Sequence, residues 1–364
     1  MYIKKSILFF ADRLPPLIGG MEIHAKYFIK YFRDNQNFTL LGIVTKNQDA
    51  SDSLISNHKS IKINIDELSK DTNPDIIFFN SGRWIEEFRK IRNIFPSAKF
   101  FYRTGGNEIL KAPLVENNCF SHKARQLYWV RTINDNINIL ITNSLYTEKR
   151  LKCMGIKIPF KRFVGGVDVS GFKNIKPKKN DLVTIFCAAR FVPYKNYSLM
   201  ISVINELVLC GLKFKVKLAG DGPLFTKIKK QVQEHNLNSV VEFLGVLDNT
   251  QVFQEIFNAD IYMQLSKDEV TKVEGGSYIH SEGMGRSILE ALSAGTFVIA
   301  GKSGALPEIV YPPHGLLINL TDEAQEIAKR ITHIVKKPVA KMKIQTNFDW
   351  NKIFTGYEKL FGNI

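Results

Sequence analysis

Residues 281–304 read SEGMGRSILEALSAGTFVIAGKSG. Gly283 and Gly285 mark a turn, RSILEALSAG spaces its apolar residues as one face of a helix, and TFVIAG is an apolar run of strand length. Turn, amphipathic helix and buried strand in succession make part of a β–α–β unit. The same alternation extends outward. From about residue 181, LVTIFCAA, FKVKLAG, VVEFLG, IYMQLS, TFVIAG and GLLIN alternate with helical stretches such as NYSLMISVINELVLCG and TQVFQEIFNAD. Strand alternating with helix implies right-handed crossovers and a parallel sheet covered on both faces.

The first half repeats the pattern less regularly, with SILFFA, FTLLGIVT, DIIFFNSG, AKFFYRTGG and INILITNS as strands. The expected fold is α/β: two Rossmann-like, doubly wound parallel-sheet domains facing a central cleft. The expected division is a first domain at 1–165, a turn-rich linker at 166–180, a second domain at 181–340, and a helical segment at 341–364 that returns to the first domain. In such sheets ligands bind beyond the carboxyl ends of the strands, and each motif can be tested against that rule.

Composition narrows the class. The chain has 364 residues, of which 45% are apolar and 23% charged, enough for two buried cores. No apolar run approaches the roughly 20 residues of a membrane span. The early KKSILFFADR imitates a leader, but Asp12 and Arg13 cut its apolar part short, so it reads as a buried first strand. Cys119, Cys153, Cys187 and Cys210 are scattered, without disulfide or zinc spacing, as expected of a reducing cytoplasm. The formal net charge is +15. Residues 1–165 hold 26 Lys and Arg against 15 Asp and Glu, so the basic excess lies mainly there.

AARFVPYKN (188–196) follows the strand LVTIFCAA, which puts Arg190 and Lys195 at a strand's carboxyl end. Two cations there can grip a diphosphate, Arg as a fork and Lys as a point charge; the alternative is a solvated loop, and spacing alone leaves both open. LAGDGP (218–223) imitates a dinucleotide fingerprint, but Phe225 stands where its third glycine belongs, so it reads as a tight turn bordering a ligand. At Gly283-Met284-Gly285 the backbone can approach a ligand closely, and the first-turn amides that follow, with the helix dipole, attract anions. Glu282 precedes this helix and Glu290 lies about one turn inside it. Acids on both sides of a phosphate-binding turn suit a molecule with a sugar at each end of a diphosphate; a capping acid and a surface acid are the plain alternative. PLIGGMEIHAKYF (16–28) is another glycine turn entering a helix, and its His24 reads as a packing or surface residue. Signatures of zinc proteases, serine hydrolases, P-loop proteins and D-x-D metal-bound nucleotide sugars are all missing.

Taken in order, GGMEIH, GGVDVSGF, ARFVPYKN, LAGDGP, FLGVL and EGMGRSILEALSAGTFVIAGKSGALPEIV resemble glycosyltransferase family 4, retaining enzymes of the GT-B fold. The resemblance covers most of the chain, and its last motif is the most specific. It implies that Glu282 contacts the donor hexose, Glu290 the ribose, and that Arg190 and Lys195 neutralise the leaving diphosphate. It places Gly222 and Val246 beside base and ribose, Gly283, Met284, Gly285 and Arg286 at the donor phosphates, and Gly20 at the diphosphate from the first domain. FDWNKIFTGYEKLF resembles the family's returning tail. Many members carry a histidine near the reacting sugar, where this chain reads YRTGGNEIL; Asn107 or Glu108 then takes the acceptor side.

The expectation is a metal-independent retaining hexosyltransferase without cofactor, using a UDP- or GDP-type sugar nucleotide. Its acceptor is a glycan or a polyprenyl-diphosphate-linked saccharide in bacterial surface polysaccharide assembly. The rivals are a catalytically silent sugar-nucleotide-binding subunit and a sugar-nucleotide epimerase. No nucleic-acid motif accompanies the positive charge. CFSHKARQLYWVR (119–131) mixes Lys123, Arg125 and Arg131 with Phe120, Tyr128 and Trp129, which suits an anionic membrane surface and a cytoplasmic protein peripheral on the inner face. The other reading makes the two aromatics of its helix core residues.

Overall fold

The computed structural model describes residues 4–14, 19–45, 62–63, 68, 72–113, 121–173, 175, 181–336 and 341–363. The chain divides into two compact units. One comprises Met1–Gly166, Thr271–Tyr278 and Trp350–Ile364; the other comprises Val167–Val270 and Ile279–Asp349.

The first unit is built on β1 (Lys5–Ala11), β2 (Phe38–Thr45), β3 (Lys62–Ile63), β4 (Ile76–Phe79), β5 (Lys99–Thr104), β6 (Ile139–Thr142) and β7 (Phe160–Arg162). Its strand order is β3-β2-β1-β4-β5-β6-β7, parallel throughout. Both faces are buried, as the continuous apolar strands require. Ile7, Phe9, Ile76, Phe78 and Phe101 point to one core; Leu8, Phe10, Ile77, Phe79, Phe100 and Tyr102 point to the other.

The second unit carries β8 (Val183–Ala188), β9 (Phe214–Ala219), β10 (Val241–Gly245), β11 (Ile261–Gln264), the small two-stranded sheet β12 (Glu269–Val273) and β13 (Gly276–His280), β14 (Phe297–Gly301) and β15 (Gly315–Ile318). The main order, β10-β9-β8-β11-β14-β15, is again parallel. Strand order reverses between β1 and β4 in one sheet and between β8 and β11 in the other. Those reversals open the crevices where doubly wound sheets bind ligands.

The division differs from the sequence expectation in three places. Val167–Lys173, expected as linker, is counted with the second unit, where buried Phe172 packs on Phe253 with ring centroids 4.8 Å apart; residues 174 and 176–180 lie outside the described residues. Residues 341–349 also stay with the second unit, because Met342 N donates to Gly295 O at 3.0 Å and Gln345 N to Ser293 O at 2.9 Å. Only the helix Trp350–Gly362 belongs to the first unit. Its Trp350, Phe354, Tyr357 and Phe361, at helical spacing, join the core of Phe28 and Phe78. Third, the tip of β12 and β13, Thr271–Tyr278, is counted with the first unit.

That tip explains a correction. Arg125 is 2% exposed and donates to the carbonyls of Ala112 and Glu274. Trp129 is 2% exposed within the core, and Tyr128 packs against it. The helix His122–Asn136 therefore turns Trp129 and Arg125 inward, and over the described residues 121–131 the two aromatics belong to the core and not to a membrane-facing patch. Lys123 and Arg131 are exposed; Phe120 lies outside the described residues. His24 is likewise interior, with its ring among Phe28, Phe78, Trp350 and Tyr357, and burial followed by the charge of Arg103 holds its pKa well below the usual value.

Candidate active site

In the second unit the loops after β8 and β9 are joined by backbone. Ala189 N donates to Ala219 O at 3.1 Å, Phe191 N to Asp221 O at 3.0 Å, and Leu224 N to Phe191 O at 3.0 Å. Gly222, at φ +156, leaves no room for a side chain: a Cβ there would come 2.7 Å from Phe191 O. Its glycine is thus required by loop-on-loop packing as well as by the turn. Arg190 emerges from this joint exposed, and it makes no ion pair among the described residues. Val246, just beyond β10, is 73% exposed.

The short helix Pro193–Lys195 turns Lys195 inward. Its Nζ meets Glu282 Oε2 at 2.6 Å, and the two side chains are only 12% and 15% exposed. Gln264 Nε2 and Ser266 Oγ approach the same oxygen, each at 3.3 Å. All three of these contacts fall on Oε2, and Oε1 has no hydrogen-bond partner among the described residues. Burial pushes the Glu282 carboxyl up, but the charge and hydrogen bond of Lys195, with His280 and Ser266, bring it below the ordinary value. Burial lowers Lys195, and Glu282 more than restores it, so the ammonium is held above its ordinary pKa. Both groups are therefore charged at neutral pH.

The backbone carrying Glu282 is clamped from the other side. Ala305 N donates to Glu282 O at 2.8 Å, and Gly304, at φ +54, lies so close to that carbonyl that a Cβ would overlap it. This contact explains the glycine of GKSGALPEIV. Gly285 starts the helix Arg286–Ser293 from a left-handed φ of +75, and no side chain caps the helix. The first-turn amides are left for an anion. Glu290 is 5% exposed and pairs with Arg286 at 2.9 Å; burial still raises its pKa against that cation. Ser287 Oγ donates to Gln264 Oε1 at 3.2 Å, linking this helix to the Glu282 cluster.

The structure thus brings together Lys195 and Glu282, residues that the resemblance gave to separate parts of the donor. Gln264 and Ser266, which sequence reasoning missed, orient Glu282. The available signal was two polar residues at the end of the apolar run IYMQLS. Gly20, Asn107 and Glu108 belong to the first unit. Gly20 is the exposed first residue of the helix Gly20–Arg33, and the Glu22 carboxylate folds back beside Gly19. Asn107 opens the helix Asn107–Lys111, and Glu108, in its first turn, lines a cavity of about 530 Å³ at the β1/β4 reversal.

Two doubly wound parallel-sheet units in one chain are the architecture of the GT-B fold. Residues 170–349, just under half of the chain, match the model of the family described as glycosyl transferases group 1. The chain is 25% identical over 222 residues to a GDP-mannose-dependent monoacylated alpha-(1-6)-phosphatidylinositol monomannoside mannosyltransferase of Corynebacterium glutamicum, a match covering 58% of this chain and 56% of the relative. It is also 25% identical over 186 residues to a putative colanic acid biosynthesis glycosyltransferase of Salmonella typhimurium, covering 50% of this chain and 44% of that one. These matches span about half the length of either relative. The crystal structure of Anabaena HepE in complex with UDP and glucose superposes with a TM-score of 0.73 at 17% identity, covering 99% of this chain and 100% of that one.

Proposed function

We propose that the protein is a retaining glycosyltransferase that moves a hexose from a UDP- or GDP-type sugar nucleotide to a glycan or lipid-linked saccharide. The observation that carries this reading is the 2.6 Å Lys195–Glu282 pair. It sets a cation for phosphate directly beside an acid for hydroxyls, as the junction between hexose and diphosphate demands. As the bond from the anomeric carbon to the diphosphate oxygen breaks, positive charge grows on the sugar and negative charge on the leaving group. Lys195, exposed Arg190 and the amides at the start of the helix Arg286–Ser293 stabilise the leaving charge without a metal. Glu282 orients the hexose, and Glu290 with Arg286 serves the ribose end, where Gly222 and Val246 border the base. The acceptor oxygen bonds to the anomeric carbon on the face of departure, and its proton passes to the leaving phosphate oxygen. The relative named as GDP-mannose-dependent and the neighbour holding UDP support this donor class.

The test is to incubate the pure protein with a panel of UDP- and GDP-sugars, with and without EDTA. Slow release of nucleoside diphosphate, unchanged by the chelator, is expected. Loss of release in EDTA that magnesium or manganese restores would overturn metal independence. Binding without release would mark a silent subunit, and an epimerised donor an epimerase.

The reading places the protein in the cytoplasm, peripheral on an anionic inner membrane face, extending a surface polysaccharide. Its support is the stretch 149–162, where Lys149, Lys157 and Lys161 are exposed and β7 ends the sheet. No helix among the described residues is long and apolar enough to cross a membrane. Each basic residue near an anionic surface contributes about 1 kcal/mol, so a few suffice for attachment that salt weakens. Flotation should recover the protein with anionic vesicles at low salt and lose it at high salt. Equal recovery with neutral vesicles would remove the electrostatic basis.

A further inference from the structure

Arg103, on β5, is 6% exposed and makes no ion pair among the described residues. Its Nη1 meets Met21 Sδ at 3.0 Å and Asn80 Oδ1 at 3.4 Å. Asn80, buried just past β4, donates through Nδ2 to the Met21 carbonyl at 2.9 Å. Met21 is therefore held twice, its backbone by Asn80 and its sulfur by Arg103. It is the second residue of the helix Gly20–Arg33 and directly follows the glycine turn at 19–20, which no side chain caps.

The returning helix Trp350–Gly362 reaches the same group. Burial pushes its Tyr357 up to about 12, against the charge and hydrogen bond of Arg103. The same hydroxyl lies 3.3 Å from His24 Nε2. His24 is neutral, as its depressed pKa requires, so this cluster carries the single positive charge of Arg103. Burial lowers the pKa of Arg103, and the charges of Tyr357 and Glu108 only partly restore it. A buried guanidinium without a paired carboxylate costs stability, and an apolar side chain of similar length would avoid that cost. Local rules are broken in this way chiefly where a site needs it. The Glu22 carboxylate, folded back beside Gly19, shows that the turn accepts an anionic group, whose place an arriving phosphate would take.

We infer that Arg103 and Tyr357 are positioning residues for the donor diphosphate. Through Met21 and Asn80 they fix the glycine turn at 19–20, to which the resemblance gives the diphosphate, and Arg103 adds a positive charge that no ion pair cancels. The returning helix thus does more than complete an aromatic core: its Tyr357 orients the guanidinium. The ligand rests on the glycosyl-transfer reading; the placing of the turn does not.

Two measurements on the full chain test this. The first is hydrogen–deuterium exchange over residues 19–25, where the Ile23 amide bonds to Gly19 O at 3.1 Å. Arg103→Met and Tyr357→Phe should each exchange there about tenfold faster or more, with the strands of the second unit unchanged. The second is calorimetric affinity for UDP against UMP, and for GDP against GMP. In Arg103→Met the diphosphate that the parent binds should lose about tenfold, the size of a charge-assisted contact, while its monophosphate holds. Arg103→Lys should recover part of the loss, as a charge without the fork. Arg103→Met should also be at least as stable to denaturant as the parent, which a merely structural role would not allow. Unchanged exchange in both variants, or a diphosphate-to-monophosphate ratio that does not fall, would each overturn the inference. A parent that binds neither diphosphate, with faster exchange in the variants, would sink the donor reading and leave the positioning of the turn supported.

Discussion

Glu282→Gln should lower turnover by about two orders of magnitude or more, about 2.7 kcal/mol of transition-state stabilisation, while bare nucleoside diphosphate binds at least as well as before. The reason lies in the pair. Glu282 is assigned to the sugar, so its loss is felt where charge develops on the hexose. Its removal also releases Lys195 Nζ from the 2.6 Å contact, leaving that ammonium to phosphate alone. Glu290→Gln should differ by weakening nucleotide binding first. Steady-state kinetics and calorimetric titration of the diphosphate would check both; weakened diphosphate binding with intact turnover in Glu282→Gln would reverse the two assignments.

Lys195→Ala should damage stability as well as activity. It strands Glu282 with side-chain exposure of only 15%, held by two weak hydrogen bonds at 3.3 Å. Removing one partner of a buried pair costs about 3–5 kcal/mol, chiefly through the charge left behind. Adding Glu282→Gln to Lys195→Ala should recover much of that stability, because no uncompensated charge remains, yet restore no turnover. Denaturation of single and double variants measures this directly. If the double variant were destabilised by the sum of its singles, the ion pair would not be the cause.

The pair also predicts a pH window. Glu282 is depressed from 4.5, so its contribution is present above that value and is lost as pH falls through its lower folded pKa. Lys195 is raised from 10.5, so its contribution is present below that value and is lost as pH rises through its higher folded pKa. The pair therefore contributes across neutral pH and fades only toward the extremes. Glu290 runs the other way: its raised pKa makes its ionised form a cost at neutral pH, consistent with a group that gains partners when a ligand's hydroxyls arrive.

What the sequence determined by itself was the architecture and the address of each motif. Alternation of apolar runs and amphipathic stretches requires parallel strands covered on both faces. Arg190, Lys195 and Glu282 then follow strands because turns follow strands. A local pattern reports local burial, and local burial is nearly all that a doubly wound sheet needs. Contacts between distant segments belong to the tertiary structure. Lys195 and Glu282 are 87 residues apart, and nothing in either neighbourhood encodes their contact; it arises because β8 and β11 are neighbours in the sheet, across the reversal of strand order. The same limit applied to 119–131. A mixed basic and aromatic helix reads alike whether its aromatics meet lipid or core, and the carbonyls of Ala112 and Glu274 decided it by holding Arg125 inside. Gly82 carries no signal in sequence at all. A side chain is excluded there only because Tyr102, Trp129 and Glu108 converge where it would have stood.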